Sequence, residues 1–140
     1  MVVSMDKFNS AHSYKATPPP TLLPVLLKVV SVYKLWKDVL KIFPNTAKYS
    51  LGIKIDNFFI EVIESISTAA FLPKDRKGPY IRQAIIKLDT SKVLLLVAWE
   101  TRCFDDKKYI ALSEPLSEIG RRLGAWYGQV ERSINEKTDK

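Results

Sequence analysis

Apolar residues recur every three or four positions through most of this chain, which is the spacing of one face of an α-helix. The first such stretch begins near Pro24, whose missing N–H is harmless in a first helical turn, and it ends at Pro44. Its apolar face is predicted to contain Leu26, Val29, Tyr33, Trp36, Leu40 and Phe43. Three prolines at 18–20 favour an extended segment, so residues 1–23 are predicted to form a flexible arm.

Three further helices follow from the same periodicity. The second is predicted over about 46–71, the third over about 79–104 and the fourth over about 109–132. No stretch sustains the alternation of apolar and polar residues that marks a β-strand. Helices of this length with short connections predict an all-α fold, an antiparallel up-and-down four-helix bundle over residues 24–132.

Two prolines decide how the later helices are bounded. Residues 72–78 have the composition of a charged turn, so Pro79 is predicted to open the third helix. Pro115 either bends the fourth helix or occupies its first turn. The last eight residues, 133–140, carry balanced charges and are predicted to fray as a flexible tail.

Three glycines recur at intervals of four in the fourth helix, at Gly120, Gly124 and Gly128. This spacing stacks them in one narrow stripe of the helix surface. Three glycines inside a helix cost roughly 3 kcal/mol relative to alanine, so something must pack close to the stripe. Either a neighbouring helix of the same bundle does so, or the stripe meets another subunit. A separate stripe of large apolar residues, which includes Leu123 and Trp126, favours the second alternative.

The chain carries a net charge of +7, and its positive charge is unevenly distributed. The first helix holds a group of lysines at 34, 37 and 41, and the stretch 73–92 is basic, whereas the second helix is slightly acidic. Segregated positive charge is expected of a surface that binds phosphates, although a solvated set of lysines with no partner is the alternative. The candidate nucleic-acid or polymerase-binding residues are Lys74, Arg76, Lys77, Arg82, Lys87, Lys92, Arg121 and Arg122.

The residue types that most enzymes need are scarce. One histidine, His12, and one cysteine, Cys103, exclude histidine triads, multi-histidine metal sites and a Cys-x-x-Cys site. Carboxylates at Asp56, Glu61 and Glu64 are interpreted as the solvated face of the second helix. We therefore expect a protein that is not an enzyme and that holds no cofactor or metal.

Location follows from what the chain lacks. A single cysteine cannot form an internal disulfide and favours a reducing compartment. No secretory signal is evident, and the longest apolar run, 93–99, is far shorter than the roughly 20 residues of a membrane span. The prediction is a cytoplasmic protein with no membrane partner.

Two segments resemble the small "four helix bundle protein" family. They are residues 88–100 (LDTSKVLLLVAWE) and 118–126 (EIGRRLGAW), and residues 49–52 (YSLG) are similar to the leucine–glycine start of the family's second helix. The family includes proteins encoded in intervening sequences of bacterial 23S ribosomal RNA genes. It also includes the accessory variability determinants of diversity-generating retroelements. The likeness covers about residues 25–132.

This resemblance implies four-helix protomers that assemble into a five-fold, barrel-shaped ring. The retroelement members are basic, bind nucleic acid and associate with a reverse transcriptase during mutagenic copying of a template RNA. The predicted function is therefore a non-enzymatic accessory protein, a homopentamer that binds RNA or DNA and the element's reverse transcriptase. Gly120, Gly124, Trp126 and Gly128 are the predicted packing or oligomer residues. The alternative is a ring-forming protein of the intervening-sequence type, with a structural or RNA-associated role and no polymerase partner.

The sequence departs from the family at Leu96, where a basic residue is common one turn after Lys92. Basic residues in that region of the retroelement proteins are implicated in engaging the polymerase. Lys92 carries over as a candidate and Leu96 does not. Either Arg82, Lys87 and Arg122 supply the contact with the polymerase instead, or this protein engages the polymerase differently.

Overall fold

The computed structural model describes residues 22–138, so the predicted arm lies outside the described residues except for its last two positions. No strand occurs within that range, and the predicted all-helical class with four long helices is confirmed. The helices are α1 (Leu22–Lys41), α2 (Ile53–Phe71), α3 (Lys74–Glu100) and α4 (Asp106–Thr138).

The entrance to α2 is less regular than predicted. A short helical turn, Asn45–Ala47, is followed by a π-helical segment, Lys48–Gly52, before α2 begins. Gly52 is buried, and a Cβ atom at that position would lie 2.8 Å from the Leu40 Cδ1 atom. A side chain at this position would therefore displace the end of the Leu40 side chain on α1.

The predicted charged turn at 72–78 is wrong for residues 74–78, which form the first turns of α3. Pro79 lies inside the helix and lacks the N–H that would bond to the Asp75 carbonyl. Its neighbours Lys77 and Gly78 are buried, and Lys77 bonds to the end of α2. Tertiary packing thus extends the helix across a proline that the sequence pattern reads as its start.

Lys77 connects α3 to the C-terminal end of α2 through hydrogen bonds. Its Nζ atom donates to the carbonyl oxygens of Ala69 and Ala70 at 2.8 and 3.0 Å, in the last turn of α2. The side chain is only 8% exposed, and Nζ lies 6.0 Å from the ring centre of Trp126 on α4. Burial lowers the pKa of the Lys77 ammonium, and the two carbonyls accept two of its three N–H donors.

The connection between α3 and α4 is set by paired caps. The Cys103 N–H donates to the Ala98 carbonyl at 2.8 Å and the Arg102 N–H donates to the Trp99 carbonyl at 3.0 Å, which is a Schellman motif. Arg102 has φ 64°, in the left-handed region. The motif ends α3 at Glu100, so the predicted end at 104 is wrong.

Helix α4 is longer at both ends than predicted. It begins at Asp106 rather than 109, because the Asp105 carboxylate accepts the Lys108 N–H at 2.9 Å, as a capping aspartate does. At the other end it continues to Thr138, so residues 133–138 are helical rather than part of a separate tail. Pro115 lies inside the helix and not in its first turn.

A chain of seven aromatic rings joins all four helices at the end of the bundle that holds the α1–α2 and α3–α4 connections. Neighbouring ring centres lie 4.6 to 6.5 Å apart, and Trp36 near the middle is completely buried. Each such pair contributes about 0.5–1.5 kcal/mol beyond its burial. In order of contact, this aromatic chain comprises Tyr33, Phe59, Trp36, Phe43, Phe104, Tyr109 and Trp99.

Asp56 lies against the aromatic chain instead of on a solvated face. Its carboxylate accepts the Trp36 Nε1–H at 3.1 Å and a hydrogen bond from the Tyr33 hydroxyl. Burial, together with the Asp56 carboxylate, raises the pKa of Tyr33 to about 12. This network links α1 to α2 through polar atoms beside an apolar core.

We expect the Lys77→Met substitution to destabilise the protein by about 1–3 kcal/mol, because it removes the Lys77 donor from both carbonyls and leaves Ala69 with the Leu72 N–H alone. Urea unfolding measures the difference. Lys74→Met removes an exposed lysine one turn away and is expected to change the stability by no more than about 0.5 kcal/mol. Equal effects of the two substitutions would contradict the assigned role of Lys77.

Ionisation of the Tyr33 hydroxyl is expected to make the stability of the fold depend on pH. Its folded-state pKa of about 12 exceeds the ordinary value of 10.0, so the protonated hydroxyl stabilises the fold below pH 10 and this contribution is lost between pH 10 and 12. Ultraviolet titration should show one late-titrating tyrosine that is absent in Tyr33→Phe and shifted to lower pH in Asp56→Asn. A wild-type titration in which every tyrosine ionises near pH 10 would contradict the network.

Candidate nucleic-acid interface

The eight candidate cations separate into three structural groups. The first contains Lys77 alone, which is buried and bonded to the end of α2. It is not available to a phosphate, so its inclusion in the interface is corrected: Lys77 is a structural residue. Sequence composition counts its charge but does not reveal its burial.

The second group is paired with carboxylates, Lys87 between two helices and Arg122 within one helix. Lys87 on α3 lies 3.3 Å from Glu61 on α2, and Arg122 lies 3.3 Å from Glu118 on the same face of α4. Glu118 also binds Lys28 of α1 at 3.0 Å. The Lys28 ammonium, followed by Arg122, holds the pKa of the Glu118 carboxyl below its ordinary value. Lys87 and Arg122 therefore contribute less net positive charge to the surface than the sequence indicates.

The third group comprises cations without a carboxylate within 4.0 Å among residues 22–138. All are exposed except Lys92, which is half-buried. At 100° per residue, Arg76 and Arg82 project about 120° apart around α3, so they do not form one compact patch. The group comprises Lys74, Arg76, Arg82, Lys92 and Arg121.

The outer face of α1 adds a row of lysines. Lys34, Lys37 and Lys41 are exposed and occupy positions i, i+3 and i+7, which share one face of a helix. Lys41 lies 3.4 Å from Asp38, and both side chains are more than 70% exposed. A contact of this kind neutralises little of the row's charge, because exposed ion pairs are weak and screened by salt.

The glycine stripe is only partly covered within the chain. A Cβ atom at Gly120 would lie 3.5 Å from the Leu88 Cδ2 atom, which is ordinary contact with α3. Gly124 is exposed and a Cβ atom there would meet nothing within 4 Å. Among residues 22–138, no other helix therefore packs closely against Gly124. Trp126, half-buried beside Lys77, packs against the core.

An apolar stripe on the outer face of α3 was not identified from the sequence. Ile86, Val93 and Val97 are 54%, 57% and 41% exposed, and Leu96 beside them is 40% exposed. The helical periodicity predicts one apolar face for this helix, directed toward the core. The uninterrupted apolar run at 93–99 is the signal that this helix is apolar on more than one side.

A depression of about 690 Å³ lies at the α3–α4 connection. Its wall includes the half-buried ring of Trp99, which stacks on Tyr109 with ring centres 4.6 Å apart and planes inclined by 9°. The Trp99 Nε1–H donates to the Asp106 Oδ1 atom at 2.8 Å. The lining residues are Trp99, Glu100, Arg102, Phe104, Asp105, Asp106 and Lys107. No function was predicted for Trp99 or for this connection from the sequence.

Within residues 22–138, no cluster of three or more His, Cys, Asp or Glu side chains has the arrangement of a metal site, and His12 lies outside that range. Within the same range, no helix combines the length and apolar character that crossing a bilayer requires.

Comparison of the chain with protein-family models, curated proteins and solved structures gives no match.

Proposed function

We propose that this protein is a non-enzymatic accessory protein of a diversity-generating retroelement, which binds nucleic acid in the cytoplasm. The observation that carries the proposal is the group of exposed cations without carboxylate partners on α3 and α4, namely Lys74, Arg76, Arg82 and Arg121. Phosphates bound by such side chains release condensed counterions, which supplies affinity without base recognition. The family resemblance implies that the nucleic acid is a template RNA and that the protein partner is a reverse transcriptase.

The proposed protomer is an antiparallel up-and-down bundle. Three contacts between α3 and α4 support opposite helix directions: Gly78 with Glu131, Leu88 with Gly120, and Trp99 with Tyr109. The first members of these pairs ascend along the chain while the second members descend. Short connections between the helices accord with this topology.

The proposed assembly is a homopentameric ring. Two uncovered features support burial between copies: the open position at Gly124 and the apolar stripe of Ile86, Val93 and Val97 on α3. Exposed apolar stripes and smooth helix surfaces are typical of subunit contacts. The five-fold number itself derives from the resemblance.

The polymerase contact is proposed to use Arg82 and Lys92. Of the three residues considered as replacements for a basic side chain at Leu96, Lys87 and Arg122 are engaged with carboxylates and Arg82 is not. Leu96 is 40% exposed beside the apolar stripe, which favours the alternative that the protein is a ring-forming, intervening-sequence type without a polymerase partner. Co-purification with a reverse transcriptase encoded nearby, beside template and variable repeats, distinguishes the two functions. Absence of both the gene and the repeats favours the alternative.

RNA affinity should fall steeply with salt concentration. Substituting Lys74, Arg76 and Arg82 together with glutamine is expected to reduce the slope of log K against log salt by up to about three, because each phosphate contact contributes roughly one. Fluorescence anisotropy with a labelled RNA measures this change. Lys77→Met is the control, since it removes a buried charge and should leave the slope unchanged. Salt-independent binding, or no binding, would refute the proposal.

Gly124 provides a test of assembly. In the isolated chain Gly124→Ala should stabilise α4 by about 1 kcal/mol, because alanine is the better helix former and its Cβ meets nothing. Gly124→Leu should fold but fail to assemble if the stripe is buried between copies. Light scattering is expected to give about 80 kDa for a wild-type pentamer of the 16.0-kDa chain. A wild-type monomer, or normal assembly of Gly124→Leu, would contradict the proposed interface.

A further inference from the structure

Arg102 occupies a backbone position that favours glycine. It is the residue after the C-cap of α3, with φ 64°, and among residues 22–138 it is the sole non-glycine residue with positive φ. Glycine adopts this conformation without the steric penalty that a side chain brings. The exposed guanidinium has no carboxylate within 4.0 Å in the described chain, so no ion pair offsets the strain. Strained positions of this kind concentrate at functional sites.

The acids around Arg102 are largely committed to holding the connection. Asp105 caps α4 through the Lys108 N–H and lies 3.4 Å from the Lys108 Nζ atom. Asp106 accepts the Trp99 Nε1–H. Lys107, like Arg102, lines the depression and has no carboxylate oxygen within 4.0 Å among the described residues, and its charge helps to lower the pKa of Asp105. Two cations outside close ion pairs therefore line the depression together with three carboxylates, of which only Glu100 has no assigned contact.

Trp99 presents a fixed aromatic surface to the same depression. Stacking on Tyr109 and the hydrogen bond to Asp106 hold the indole in one orientation, so little side-chain entropy remains to be lost on binding. Nucleobases stack on such surfaces with little dependence on sequence. The volume of about 690 Å³ lies within the range of about 300–1,000 Å³ that is usual for small-ligand sites.

We infer that this depression binds one nucleotide unit of a single-stranded nucleic acid. The base stacks on Trp99, and the adjoining phosphate lies between Arg102 and Lys107. The inference rests on the proposed nucleic-acid function and adds a local site to it. Because bases in a duplex are already stacked on one another, the site selects single strands over duplexes.

The test uses the full chain and a fluorescein-labelled, eight-nucleotide oligoadenylate RNA. We expect Arg102→Gly to weaken binding about tenfold while the melting temperature stays equal or rises, because glycine fits the left-handed position. Arg102→Gln and Arg132→Gln each remove one exposed positive charge, the first at the depression and the second far from it on α4, and the first should have the larger effect. Trp99→Leu should also weaken binding about tenfold, with a smaller effect on an RNA duplex of the same length.

Nuclear magnetic resonance gives a readout that requires no substitution. The chain has three tryptophans, and titration with the oligonucleotide should shift the Trp99 indole N–H signal while that of the buried Trp36 stays fixed. Trp99→Phe assigns the signal. Equal effects of the two glutamine variants with an unmoved Trp99 signal would overturn the site and leave the proposed function intact. No RNA binding by the wild-type protein would overturn both.

Discussion

Contact between aromatic rings at one end of the bundle is the interaction on which the remaining structure depends. The aromatic chain takes one or two rings from every helix and one from each of the two connections at that end. Trp36 lies near its middle and is bonded to Asp56, so a polar contact fixes the orientation of its largest member. Phe43 precedes the π-helical segment and Phe104 lies between the Schellman motif and the cap of α4, so both connections contact this aromatic chain.

The opposite end of the bundle combines a small apolar cluster of Ala69, Ile81 and Val130 with a buried charge. Lys77 bonds the terminal carbonyls of α2 and lies over Trp126, so three helices converge on one ammonium group. Two other cations bind Glu118, Lys28 from α1 and Arg122 from the same helix, α4. Part of the net charge of +7 therefore supports the fold, and the accessible positive surface is smaller than composition indicates.

Periodicity was sufficient to predict four helices and most of the core, because burial on one face leaves a repeating signal in the sequence. Leu123, for example, is fully buried as its spacing predicts. The start of α3 was not predictable, since the bonds of Lys77 across the chain outweigh the local signal of Pro79. At the candidate site, the sequence shows which residues are cations but not which carboxylates or carbonyls they bind. The role of Trp99 depends on a contact with Asp106 that follows from the shape of a connection, which periodicity does not encode.

The π-helical segment Lys48–Gly52 has a consequence for how this chain tolerates insertions and deletions. A π-helical turn holds about one residue more than an α-helical turn, so the segment absorbs an additional residue before α2 without rotating the helix that follows. Loss of one residue there can be accommodated by reverting to α-helical geometry. A deletion of one residue inside α2 cannot be absorbed in this way. It would rotate every later side chain of the helix by about 100° and expose the core face that contains Phe59 and Ile66.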